Sequence, residues 1–333
     1  MALFEVSADR VGKFAKYLEV LAKILGNDEF AIKVESDCVV VRGVNSKVKA
    51  TAVDAKIPAC FFKSLSVRNG EPSHTVSFLT RTLVMFLTKI LTHNPNHVKF
   101  DLRDDCCVVS MMSDGQVMGR FKLGLLEYDT NTLDLDSIDN SEYTHGFRMG
   151  LTPFCMAVQN LAVMHQHLVF MVGTGRECDK VVFVCASEAG EEPCSGYLAH
   201  TIDLSSNEAV FFNTKQTDSN TKKETNTKTE ANTKEEEDKD SDEEEEDQKE
   251  EEDDDGYDSD YTSLVCEIQD LMDFERSFAS QPYNMKLLLP MLSLAPLGRV
   301  VRCYLRRKFV VKLEIEMLHE LGTFIYYVSP VVC

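Results

Sequence analysis

The sequence has no tryptophan, no CxxC pair and no apolar run long enough to cross a bilayer. Without cysteines at ligand spacing, neither a zinc ribbon nor a redox dithiol is encoded. The eleven Cys sit mostly singly inside strand-like apolar runs (Cys38, Cys106, Cys185, Cys266, Cys303), as reduced buried thiols of a cytosolic or nuclear protein do. There is no Gly-rich phosphate loop, GxSxG or HExxH, so the common catalytic signatures are missing. The opening MALFEVSADR has no basic segment followed by an apolar one, and secretion is not expected. Positive charge is scarce: 35 Lys and Arg stand against 55 Asp and Glu, a net charge of −20.

That deficit is local. Residues 213–260 hold 22 Asp and Glu and 7 Lys and Arg, a net −15, which leaves only −5 for the other 285 residues. Asn-Thr-Lys recurs at 220, 226 and 232 before the Glu and Asp run begins. A segment with so little apolar surface has nothing to offset its ordering entropy, so a disordered insertion is expected here. Because strand-like pattern resumes beyond it, it grows out of a folded domain. Ser241 precedes Asp242-Glu243-Glu244 and Ser259 precedes Asp260. Both are candidate phosphorylation sites for acid-directed kinases, each worth about −1.5 to −2 of added charge.

Elsewhere the apolar spacing alternates between periods of two and 3.6. Ala2–Ser7 reads as a strand. From Ala8 to Leu25 a helix places Val11, Phe14, Tyr17, Leu18, Leu21 and Leu25 on one side, with Lys13, Lys16 and Lys23 opposite and Arg10 at the edge. Strands are predicted at 30–34, 38–41, 49–57 and 75–79, then a helix over 80–92 whose polar side carries Arg81, Thr88 and Lys89. Strands at 97–102, 108–112 and 117–126 follow. The order then restarts: a strand at 146–150, a helix opened by Thr152-Pro153 and running to about Met164, and strands at 168–172, 180–186, 197–203 and 263–268. A last helix is placed at 284–295, with 271–280 as the competing choice, before strands at 300–305, 310–317 and 323–328. The expected fold is therefore α+β, two similar domains over 1–128 and 145–333, each with two helices on an antiparallel sheet.

The join is the stretch 129–144. It holds five Asp and Glu, no Lys or Arg, and projects Leu133, Leu135 and Ile138. By composition alone it fits an ordinary solvated linker equally well. The lysine side of the first helix likewise fits either a solvated face or a surface for phosphates. His165 and His167, two apart on a helix, diverge and do not make a metal pair. Asp101, Asp104 and Asp105 fit the outward face and turn of a strand and lack the second acidic group that two-metal chemistry needs. No enzyme is expected, and no cofactor.

This layout resembles the DNA sliding clamps. TLDLDSIDNSEYTHGFRM, 132–149, is similar to the interdomain connector of proliferating cell nuclear antigen (PCNA) and its entry into the second domain. FVVKLEIEMLHELGTFIYYVSP, 309–330, resembles that family's last strands. VRGVNSKVKA, 41–50, with Phe61-Phe62 downstream, looks more like the Rad-nine subunits of the heterotrimeric nine-one-one checkpoint clamps.

The resemblance implies a non-catalytic, nuclear subunit of a ring around duplex DNA or a primer-template junction, with helices lining the hole. It implies Arg10, Lys13, Lys16, Lys23, Arg81 and Lys89 as phosphate contacts. It also implies a partner-binding pocket at Val44, Leu133, Leu135, Ile138 and Pro330; the same residues would serve equally to pack the connector on its own sheet. Partners would be Rad-one-like and Hus-one-like subunits, a clamp loader, and checkpoint and repair proteins. The helix after Pro153 carries no Lys or Arg, which favours a heterotrimer over a homotrimeric replicative clamp. An acidic nuclear histone chaperone is the alternative from another class.

Overall fold

A computed structural model describes residues 2–25, 29–45, 50–67, 71–93, 95–126, 135, 138, 143–163, 166–175, 179–186, 199–203, 210–212 and 274–331. The insertion 213–260 with Ser241 and Ser259, the strand expected at 263–268, Leu133 and most of the connector lie outside the described residues.

The first half runs β1 (Ala2–Ser7), α1 (Ala8–Ile24), β2 (Glu29–Glu35), β3 (Cys38–Val44), β4 (Thr51–Pro58), a 3-10 turn (Ala59–Phe61), β5 (Ser64–Val67), β6 (Ser73–Leu79), α2 (Thr80–Leu91), β7 (His97–Leu102), β8 (Cys106–Ser113) and β9 (Gln116–Gly124). The second runs β10 (His145–Gly150), α3 (Leu151–Ala162), β11 (His167–Gly175), β12 (Asp179–Ala186), β13 (Ala199–Asp203), β14 (Val210–Phe212), β15 (Phe274–Ala279) and β16 (Tyr283–Asn284). It ends with α4 (Met285–Leu288), a 3-10 turn (Leu289–Leu294), β17 (Gly298–Leu305), β18 (Val311–Met317) and β19 (Thr323–Val328).

The pairing is duplicated along with the order. β1 lies between β5 and β7, and β10 between β14 and β17. β7-β8-β9 is matched by β17-β18-β19. β6-β2-β3-β4 is matched by β15-β11-β12-β13. Every one of these pairs is antiparallel. The halves join where β4 pairs with β19, which fuses them into a nine-stranded sheet flanked by two five-stranded ones.

Local chemistry explains the elements. β1 and β7 alternate strictly between buried and half-buried residues, as a sheet with one covered face must. In α1, Val11, Phe14, Leu18 and Leu21 recur at helical spacing and are buried. Phe4 stacks on Phe100 at 4.6 Å and meets Phe14 and Phe62 edge-on, so both members of the Phe61-Phe62 pair serve the core. The second half repeats the device with Phe147, Phe154, Phe170 and Phe183. Phe4 and Phe147 each lie three residues before their helix N-cap, Ser7 and Gly150.

Several local expectations change. α3 starts at Leu151 with Gly150 as N-cap, so Thr152 and Pro153 lie inside the first turn and no side chain caps the helix. The final helix does occupy 285–294, but only its first turn is α; Pro290, which has no N–H, sits where the chain tightens to 3-10. The competing stretch 271–280 contains β15 instead. The short strands β5, β14 and β15 are additions. Two of them, β5 and β14, are edge strands too short to show a period.

Candidate nucleic-acid interface

α1 presents its charges on the side opposite its buried stripe. Lys16 and Lys23 both reach Glu19, at 3.1 and 3.5 Å, and all three side chains are well exposed. Exposed pairs at this helical spacing are worth only about 0.3–0.5 kcal/mol each, so phosphates can displace them. The Lys16 hydrogen bond is the main reason that the Glu19 carboxyl titrates below its usual range. Lys13 is half-buried, while Arg81 and Lys89 stand exposed on α2. Among the described residues none of these three has an ion-pair partner. α1 packs directly against α2, so these cations and the α1 lysines belong to one helical layer.

Arg10 is differently engaged. Its guanidinium reaches Glu320 at 2.6 Å, donates to the Cys60 carbonyl and lies over the Phe61 ring at 5.5 Å. It fastens the first turn of α1 to the 59–61 turn and to the β18–β19 turn.

α3 has no charged residue at all. Counted from the two N-caps, Met156 stands where α1 has Lys13, and Gln159 where it has Lys16. Met156 is 57 % exposed. The cationic surface is therefore concentrated in the first half of the helical layer, to which the second half adds the exposed Lys286 of α4.

Leu135 and Ile138 of the connector lie on the opposite face of the nine-stranded sheet. Leu135 is buried against Ala52 and Tyr327, with Val44, Ile138, Val310 and Ile325 packed around them. Val44, Leu135 and Ile138 thus come together as the sequence suggested, and Pro330 is half-buried nearby in the chain. A cleft of about 10 Å³ remains among Val44, Ala52, Val310, Tyr327 and Ser329. That is room for about one water, and Leu135 and Ile138 pack on the sheet beside it. Ala52, Val310 and Tyr327 were not foreseen; their outward positions in alternating strands were the available signal.

A second surface was also missed. β9 ends its sheet, yet it exposes Val117, Met118 and Phe121 at 42, 56 and 40 %. Long edge strands with apolar side chains are rare without a partner, because their unpaired backbone recruits another strand.

No family model matches the chain, and no curated protein matches it in sequence. Among solved structures it matches a PCNA from Thermococcus kodakaraensis, with a TM-score of 0.61 at 13 % identity, over 99 % of this chain and 100 % of that one. The fold is that of the PCNA-like sliding clamps. At this identity the likeness is one of fold.

Proposed function

We propose that this chain is a non-catalytic subunit of a ring-shaped DNA clamp. The observation that carries the reading is the pair of open edges left by the duplication. Within the chain β4 is joined to β19; in the repeated pattern β13 stands in the place of β4, and β9 in the place of β19. Both end their sheets among the described residues.

Repeating the internal joint between like subunits sets β9 of one beside the β13 position of the next, head to tail. The row Ile32–Val41–Ala55 corresponds to Phe170–Phe183–His200, and Val98–Met111–Gly119 to Val301–Ile315–Phe324. Since Ala55 lies opposite Phe324, the new joint puts the Gly119 position opposite the His200 position. Heterologous contacts of this kind close into rings when the rotation per subunit permits.

The lysines of α1, with Arg81 and Lys89, then hold duplex DNA through its phosphates without reading bases. The uncharged α3 favours a heterotrimer of the nine-one-one checkpoint type, in which Rad-one-like and Hus-one-like subunits supply the missing charge. A nuclear clamp loader, and the checkpoint and repair proteins recruited by the ring, complete its partners.

Native mass spectrometry of the chain alone and with candidate subunits tests assembly, and retention on nicked circular DNA after loading tests encirclement. A chain that stays monomeric with every clamp-like partner, or that leaves circular and linear DNA equally fast, overturns the reading.

A further inference from the structure

The turn between β17 and β18 carries Arg306-Arg307-Lys308, all exposed. Arg306 lies over the Phe309 ring at 5.4 Å, and just inside the hairpin Lys312 lies over Tyr304 at 5.0 Å. Among the described residues no carboxylate pairs with Arg306, Arg307 or Lys308.

The duplication supplies an internal control. The corresponding hairpin between β7 and β8 carries Arg103-Asp104-Asp105. There Asp101 holds Arg103 at 2.8 Å, and Lys122 holds Asp105 at 3.4 Å. The fold therefore accepts a neutralised turn at this place, and three adjacent unpaired cations are not something it requires.

Lys308 adds a second observation. Its φ of +51° lies in the left-handed region, where glycine or asparagine would sit without strain. That conformation, which Asp114, His319 and Glu320 share in other turns, costs a lysine more backbone energy than it would a glycine.

The register shows what lies close. Phe212 pairs with Gly146, and Gly146 with Tyr304, so the three share one row across the sheet. β14 runs toward the end of the sheet that carries the 306–308 turn, and the chain leaves it there. Phe212 is two strands from Tyr304, about 10 Å at usual strand spacing. Glu235 follows 23 residues later, and residues 235–255 hold 17 Asp and Glu against two Lys. Twenty-odd residues extend to about 75 Å, so the tether is far longer than the gap, and attachment within one chain gives an effective concentration near the millimolar range.

We propose that Arg306, Arg307 and Lys308 form a docking surface for the chain's own acidic tract, residues 235–255. Docking there holds the tract's charge on the hairpin end of the nine-stranded sheet. The contact is electrostatic, weakens with salt and needs no folding of the tract.

Zero-length carbodiimide coupling of the full-length chain, read by peptide mass spectrometry, tests this directly because it joins lysine amines to touching carboxylates. Lys308 should couple to carboxylates within 235–255 at least tenfold more than the exposed Lys63 does at low salt. The yield should fall about tenfold in 0.5 M NaCl and again in the Arg306→Glu/Arg307→Glu variant. Mixing isotope-labelled and unlabelled chains should give links within one chain only. Coupling of Lys308 no greater than that of Lys63, links mainly between chains, or protection of Lys308 by added duplex oligonucleotide in preference to the tract would each overturn the proposal. As a fold control, Lys308→Gly should raise the melting temperature, since it relaxes the turn while removing a docking cation; a lowered melting temperature would mean that the lysine is there for stability.

Discussion

The ring of Tyr17 stands edge-on to that of Phe324, with centroids 5.9 Å apart. The first helix is thereby fastened to the last strand, beside the β4–β19 pairing that joins the two halves. Both side chains are fully buried. Phe324→Ala should cost about 3–5 kcal/mol, as large aromatic truncations in cores do, and urea denaturation should register it.

The Tyr17 hydroxyl is buried and, among the described residues, has no hydrogen-bond partner, and burial pushes its pKa far above the usual phenol range. Tyr17→Phe removes an unsatisfied polar group at almost unchanged shape. It should raise stability by about 1 kcal/mol, which thermal or urea unfolding can read. A loss of stability would mean that water reaches the hydroxyl.

In the proposed clamp Glu19 would compete with phosphate for Lys16 and Lys23, which it pairs with here. Glu19→Gln should slow dissociation from nicked circular DNA severalfold at low salt, whereas Lys13→Glu with Lys16→Glu should hasten it without unfolding the chain. Retention assays across a salt series check both, because each lost phosphate contact lowers the slope of log affinity against log salt by roughly one. Equal retention for all three proteins would remove α1 from the interface.

Met118 on β9 and Met156 on α3 are both more than half exposed and make little contact with the core. Met118→Lys and Met156→Lys should leave the melting temperature within about 2 °C, in keeping with exposed substitutions. Met118→Lys should abolish or strongly weaken subunit assembly in native mass spectrometry. Unchanged assembly would show that the β9 edge is not a joint.

Burial pushes the Cys107, Cys155 and Cys185 thiols up to about 12; for Cys38, also pushed to about 12, a hydrogen bond to Glu35 adds to burial. Their folded pKa exceeds the unfolded one, so the stability they lend is complete below the ordinary thiol pKa and is lost as pH rises from about 9 towards 12. Unfolding should therefore become easier through that window. At pH 8 iodoacetamide should label exposed Cys60 long before these four.

Much of the fold was legible because it depends on local periods. The alternation in β7 and the helical spacing in α1 require no knowledge of distant chain. The edges were not legible: nothing local distinguishes β9 from an inner strand, and its exposed Met118 has meaning only once the sheet order is known. Arg10 shows the same limit within one helix. Its place in the sequence matched the lysine face, but Glu320, 310 residues away, decided its partner.

The sequence by itself determined the repeated strand and helix order, the concentration of most of the net negative charge in one insertion and the absence of cations from α3, since composition and spacing are properties of the chain alone. Only the tertiary structure decided that β4 meets β19, that Leu135 and Ile138 pack beside Ala52 and Tyr327, and that among the described residues no carboxylate pairs with the three cations ending a hairpin. Those outcomes depend on which distant segments arrive side by side, and Gly322 shows how tight that arrival is. It turns at φ +76°, against the Lys56 carbonyl, where any Cβ would collide.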